Sequence, residues 1–313
     1  MLIVSDFDGV MTDQTAEAER VRAIVRDRLV ALGVVGAAEV ERMIAVGEAE
    51  LERAPTRHGW RSGGRITGFA SEDLFIRHQA LCAWWDDRAD AGDAGLVALR
   101  RALAATPATS SAPSTMRFPT FVALADWAFG EMGREVKARA HKPLDPEVPR
   151  ALATLLDAGH RLVVVSNSGT DRVLDILSAS GLGAADHARD PGARLRVRGD
   201  ARKFALGDVP RLSRFGASYD VDLSRPHYER ILVDERPAVV IGDVFSFDLA
   251  LPHDLGRRGV MPPVGLVLRR RPYSPDWVTG MFAAEGPLAP SRVAMLDRFA
   301  DLPGVVDSLV RAV

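Results

Sequence analysis

Four short aliphatic runs, Leu2-Ile3-Val4, Leu162–Val165, Val239–Ile241 and Val264–Leu268, restrict what this chain can fold into. They are continuous rather than alternating. That is the signature of strands buried on both faces, as in a parallel sheet covered by helices. The segments between them have the spacing to supply those helices. "PEVPRALATLLDAGHRLVVVSNS" reads as a helix, a glycine turn and a strand. Strands alternating with helices predict an α/β fold. "LRVRGD" and "YDVDL" read as two further strands, and no internal repeat is visible.

The alternation is interrupted directly after the first strand. Residues 15–53 carry apolar positions such as Val21, Ile24, Val25 and Leu29 at helical spacing, which predicts two helices split near Gly33 and Gly36. "RHGWRSGGRITGF" reads as a loop rich in glycine and arginine, residues 71–89 and 93–105 as helices, and "AATPATSSAPST" as an exposed connector. Another helix is predicted over 119–139. The expected organisation is a parallel-sheet core from 1–13 and 141–313, with a mostly helical insert at 14–140.

Bulk properties narrow the function. A net charge of -2 over 313 residues gives no electrostatic ground for a nucleic-acid partner. The lone Cys82 has no partner for an internal disulfide, which suits a reducing compartment, and it reads as a small buried apolar residue. The N-terminal apolar run is broken at once by Asp6 and Asp8, unlike a signal peptide, and no segment approaches the about 20 apolar residues of a membrane span. A soluble, cytoplasmic protein is expected.

Ligands of open parallel sheets bind at the carboxyl ends of the strands. Here those ends are polar. The first gives Asp6-Phe7-Asp8, the second Ser166-Asn167-Ser168, and a later one Gly242-Asp243 with Asp248 beyond. Lys203 lies between them in "RGDARKFAL". Two carboxylates about 4 Å apart repel by about 4 kcal/mol at an effective dielectric near 20. A hard dication such as Mg²⁺ relieves that repulsion, binding through carboxylates and substrate phosphate. Asp6 and Asp243 are the natural ligands, with the Asp8 carbonyl as a third, while Lys203 and Ser166 are placed to hold phosphate oxygens.

"DFDGVMTD", "VVVSNS", a downstream lysine and "VVIGDVFSFD" resemble, in order, the four motifs of the haloacid dehalogenase-like hydrolases. The resemblance implies a Rossmann-like core with an inserted helical cap. It implies Asp6 as nucleophile forming an aspartyl-phosphate, Asp8 as general acid and then base, Ser166 as the phosphate-binding hydroxyl with Asn167 beside it, and Lys203 completing the catalytic set. It implies metal ligation by Asp6, Asp8, Asp243 and Asp248, and a tight turn at Gly9 against the substrate. Asp8 favours phosphatases and phosphomutases over dehalogenases, which lack a carboxylate there. The third motif is divided: Arg225 in "SRPHYERIL" stands where many relatives carry lysine, and Lys203 lies farther upstream.

The expectation is a Mg²⁺-dependent phosphatase acting on a small phosphorylated metabolite. The competing readings are a phosphomutase or phosphotransferase using the same intermediate, and a phosphate-binding module without turnover. Bland roles compete as well. Asp13 reads as a turn acid, Ser166 and Asp248 could cap helices, and the arginines of "LRRRPY" read as a solvated charge run. In the insert, Arg57, His58, Trp60, Arg61 and Arg65 are candidates for reading a leaving group or for a solvated loop, and Trp84-Trp85 for a packed core.

Overall fold

A computed structural model of the protein describes residues 1–107, 116–138, 143–216, 218–288 and 292–311. The connector expected at 104–115 lies mostly outside them. The elements, in order, are β1 (Leu2–Ser5), α1 (Thr15–Ala31), α2 (Ala37–Arg53), β2 (Gly59–Ser62), β3 (Arg65–Phe69), α3 (Leu74–Asp90), α4 (Ala94–Ala105) and α5 (Phe121–Ala138). Then follow α6 (Val148–Asp157), β4 (Arg161–Val165), α7 (Thr170–Ala179), β5 (Ala185–Asp186), β6 (Leu195–Arg198), β7 (Leu212–Phe215), β8 (Tyr219–Asp222) and α8 (Pro226–Glu235). The last are β9 (Val239–Gly242), α9 (Ala250–Arg257), β10 (Gly265–Arg269), α10 (Asp276–Met281), β11 (Val293–Leu296) and α11 (Leu302–Arg311). Two compact units result: Met1–Gln14 with Arg61–Gly68 and His141–Val313, and Thr15–Trp60 with Phe69–Ala140.

In the first unit, among the described residues, seven strands form one parallel sheet in the order β11-β10-β9-β1-β4-β6-β5. Ile3, Phe7, Leu162, Val164, Val239, Ile241 and Val267 join Leu152 of α6, Val173 of α7 and Val306 of α11 in one core. Val4, Val163, Val165, Val240 and Leu268 alternate with them and are equally buried, so both sheet faces are covered. This is the parallel α/β sheet that the continuous apolar runs imply, with the Rossmann-like character that the motif resemblance implies.

The register positions the chemistry. Ser5 of β1 pairs with Val164 of β4 and with Ile241 of β9, so Asp6, Ser166 and Asp243 emerge at the same edge of the sheet. The chain leaves and rejoins this unit at neighbouring points: the Asp145 N–H donates to the Met11 carbonyl at 2.8 Å. Arg271 fastens the same place. Its guanidinium donates to the carbonyls of Gly9 and Thr12 and to the Asp145 carboxylate.

Three local readings change. "YDVDL" does form a strand, but β8 pairs antiparallel with β7 in a separate ribbon instead of joining the main sheet. Tyr219 and Val221 are buried and Asp220 between them is exposed, which suits a ribbon wet on one side, up to Asp222, which is buried. The loop expected at "RHGWRSGGRITGF" is the hairpin β2–β3, turned by Gly63 and Gly64 at φ of 57° and 78°. Residues 61–68 of that hairpin cluster with the sheet unit, so the 14–140 insert is not one body. The arginines of "LRRRPY" are not simply a solvated run either: Arg269, closing β10, is buried, Arg271 is engaged as described above, and only Arg270 is half-exposed, paired with Asp297.

The second unit is helical. Val21 and Leu29 of α1, Ile44 and Leu51 of α2, Leu81 and Trp85 of α3, Leu99 of α4 and Phe121 and Leu124 of α5 share one core. Cys82 is buried there, and Trp84 packs against it partly buried. Asp73 and Asp93 cap α3 and α4 by accepting from the Ile76 and Leu96 amides. Asp86, on α3, accepts from the Phe121 and Val122 amides at 3.0 Å each, and so satisfies the start of α5 from a neighbouring helix.

Candidate active site

The site is built where β1, β4 and β9 end. The Asp6 amide donates to the Ile241 carbonyl at 2.9 Å and carries the sheet pattern one residue beyond β1. Gly9 then adopts φ 79°, a conformation that L side chains rarely hold. A Cβ at Gly9 would lie 1.9 Å from Asp243 Oδ2, so the backbone approaches the Asp243 carboxylate as only glycine allows. Gly242 does the same for Asp248, whose Cβ would lie 2.2 Å from a Cβ at that position.

Oxygens of Asp6, Asp243 and Asp248 lie within 4.8 Å of one another. Asp248 sits in a π-helical turn, Phe245–Leu249, an irregularity that recurs at functional sites. Lys203, 1% exposed, enters the cluster from the loop after β6. Its Nζ donates to Asp6 Oδ1 at 2.6 Å and to Asp248 Oδ1 at 2.7 Å. The other Asp248 oxygen accepts from the Val244 amide at 3.2 Å. Asp248 is thus held through both oxygens, which leaves Asp6 and Asp243 as the better-placed metal ligands. Three converging carboxylates offer a hard dication the all-oxygen donor set it prefers.

The electrostatics follow from burial. Desolvation pushes the Asp6 carboxyl up to about 7, against the pull of the Lys203 ammonium and with a further push from Asp248. Burial opposes charge on Lys203, but Asp248 and Asp6 outweigh it, and the ammonium pKa is raised. Tyr228, whose ring centroid lies 5.5 Å from Lys203 Nζ, donates its hydroxyl to the Asp248 carbonyl, and burial pushes its phenol up.

The second strand end organises Asp8. Ser166 is buried, and its Oγ accepts from the Ser168 amide at 3.0 Å. The Ser168 hydroxyl donates to Asp8 Oδ2 at 2.7 Å, and Arg172 of α7 approaches the same oxygen at 3.4 Å. Sequence reasoning passed over Ser168 and Arg172. Ser168 stood in plain view in the "SNS" triplet. Arg172 lies one helical turn after it, and that spacing was the available signal.

Several predicted residues are placed differently. The Asp8 side chain lies outside the three-carboxylate group and is turned to Ser168, while the metal contact expected of Asp8 is its backbone carbonyl. Asn167 was expected against substrate, but its Oδ1 accepts from the Lys203 amide at 2.8 Å. Arg225, the alternative to Lys203, is 0% exposed and donates to the Thr67 hydroxyl and to the carbonyls of Thr67 and Lys203. Committed to those oxygens, its guanidinium is not the phosphate fork considered from sequence. Lys203 is the cation that meets Asp6. Of the insert residues, Arg65 pairs with buried Asp222 at 2.5 Å.

The fold and the carboxylate cluster define an α/β protein with a polar site at the carboxyl edge of a parallel sheet. Motif order and strand placement are together similar to those of the haloacid dehalogenase-like hydrolases. No protein-family model matches the chain, and no curated protein sequence matches it. Among solved structures it is similar to a haloacid dehalogenase-like family hydrolase from Xanthomonas campestris, with 13% identity, 100% of this chain and 96% of that one covered, and a TM-score of 0.44. A predicted phosphoglycolate phosphatase from Haemophilus somnus 129PT gives 18% identity, 97% coverage of both chains and a TM-score of 0.44. A 2-haloacid dehalogenase from Pseudomonas syringae pv. tomato DC3000 gives 15% identity, 98% coverage of both and a TM-score of 0.39. Among the described residues no helix is long and apolar enough to cross a membrane.

Proposed function

We propose that the chain is a haloacid dehalogenase-like phosphohydrolase: a Mg²⁺-dependent enzyme of the cytoplasm that cleaves a small-molecule phosphomonoester through an aspartyl-phosphate on Asp6. One observation carries the reading. Asp6, Asp243 and Asp248 converge within 4.8 Å at the end of a parallel sheet, and a buried lysine bridges two of them. An isolated trio of buried carboxylates would be costly to hold, and a dication with a phosphate resolves that cost.

In this reading Asp6 attacks phosphorus while Lys203 offsets the negative charge gathering between nucleophile and ester. Asp6 and Asp243 would hold a magnesium ion, which would supply Lewis-acid neutralisation of the phosphate oxygens. Asp8 gives a proton to the leaving alcohol and then takes one from water. Ser168 suits both tasks, because a hydroxyl donates to a carboxylate and accepts from a carboxylic acid.

The test is release of inorganic phosphate from an aryl phosphate and from a panel of phosphorylated metabolites, with and without Mg²⁺. Wild type should turn over only with the metal, and a folded Asp6→Asn protein should lose at least about a thousandfold. Wild-type rates from Asp6→Asn would end the proposal. Isomerised sugar phosphate in place of free phosphate would favour the phosphomutase.

A further inference from the structure

Lys203 reaches the carboxylates from a turn that its own sequence does not favour. Asp200 and Arg202, neither of them glycine, hold φ of 53° and 47°. Such left-handed residues persist where surrounding structure over-determines them. Three sets of contacts do so here. The Asp200 and Ala201 amides donate to the Ser168 and Ser166 carbonyls at 2.9 Å each, and Asn167 accepts from the Lys203 amide. On the far side of the turn, Arg225 donates to the Lys203 carbonyl, and the Thr67 hydroxyl donates to the Phe204 carbonyl at 2.7 Å. Arg225 and Thr67 are themselves joined: Arg225 donates to the Thr67 hydroxyl at 2.9 Å and to its carbonyl. Both residues are buried, at 0% and 1% exposure.

We propose that Thr67 and Arg225 form a clamp that positions Lys203, so that a residue of the β2–β3 hairpin, remote in sequence, sets where the site's ammonium stands. The hydrogen-bonding supports the direction of the effect. The clamp grips the two carbonyls that follow the left-handed residues, so releasing it lets the turn relax and withdraws Nζ from Asp6. A buried arginine that gives its terminal nitrogens to oxygens of one turn and one hairpin residue, with its guanidinium 5.2 Å from the Phe247 ring centroid, has a restraining task. Thr67 and Arg225 are therefore positioning residues. The task assigned to Lys203 rests on the proposed function, but its placement does not, and the two are tested separately.

The chain has only three lysines, at 137, 142 and 203, among 40 basic residues, so an amine-directed acylating reagent followed by peptide mass mapping reads Lys203 cleanly. In the wild-type protein Lys203 should resist modification. In Thr67→Val, which keeps the shape and removes the hydroxyl, its modification rate should rise at least tenfold. Thr67→Ser should keep the protection. Arg225→Met should expose Lys203 more strongly, and Thr67→Val carries the test if Arg225→Met does not fold. Where wild type hydrolyses an aryl phosphate, Thr67→Val should lower kcat by about tenfold to a hundredfold with little change in KM, as expected for a misplaced charge. Unchanged protection of Lys203 in a folded Thr67→Val protein overturns the clamp whatever the activity. Raised labelling without wild-type turnover upholds the clamp and counts against the phosphatase.

Discussion

Asp6 concentrates the cost of this site in one carboxyl group. Its pKa in the folded protein is raised, to about 7, mainly by burial. A raised carboxyl favours the folded state most below the unfolded value, near pH 4, and that contribution is lost as pH rises through about 7. In metal-free buffer, wild type should therefore lose stability relative to Asp6→Asn between pH 5 and pH 8, by on the order of 2–4 kcal/mol. Urea unfolding of both proteins at the two pH values checks this; a difference independent of pH would contradict the assignment. Single residues were legible in proportion to how local their surroundings are. Asp6, Asp8 and Asp243 end apolar runs, and their location follows from the strand alone. The contacts of Asn167 and Arg225 could not be read in the sequence, because their partners, the Lys203 amide and Thr67, lie 36 and 158 positions away. No local pattern encodes such contacts.

At the scale of elements, helices were the easiest to read. The apolar spacing of α1, α2 and α3 carries their whole core contribution, and the Gly33–Gly36 break falls between α1 and α2 as expected. The hairpin β2–β3 was harder. Its strands are short, and Arg61 and Arg65 on them read as solvated loop residues until Asp222 is seen opposite Arg65. Helix starts satisfied from a distance are likewise invisible in sequence. Asp86 accepts from two amides of α5, so Asp86→Ala leaves both of those part-buried donors without their acceptor. The loss should be about 1–2 kcal/mol, seen as a lower thermal midpoint and as faster hydrogen exchange at Phe121 and Val122. An unchanged exchange rate at those amides would count against it.

For the whole molecule, a parallel sheet covered by helices followed from apolar runs alternating with helical stretches, and the helical interruption after β1 from the change of period, whereas the strand order comes from tertiary pairing alone. What sequence could not supply was the partition of the inserted residues, since membership of 61–68 in the sheet unit depends on tertiary pairing. A dication that binds only the folded protein should stabilise it by mass action, by about 2.7 kcal/mol at a hundred times Kd. Mg²⁺ should raise the melting temperature of wild type and leave Asp243→Asn almost unmoved; calorimetry across a Mg²⁺ titration decides. The bond between Met11 and Asp145 has a wider meaning. Since departure and return are stapled side by side, the intervening stretch, which re-enters the sheet unit at residues 61–68, is closed at a fixed doorway. Doubling such an excursion costs only about 0.6 kcal/mol in closure entropy. Evolution can therefore restyle what is hung on that doorway while the strands beneath keep their alignment.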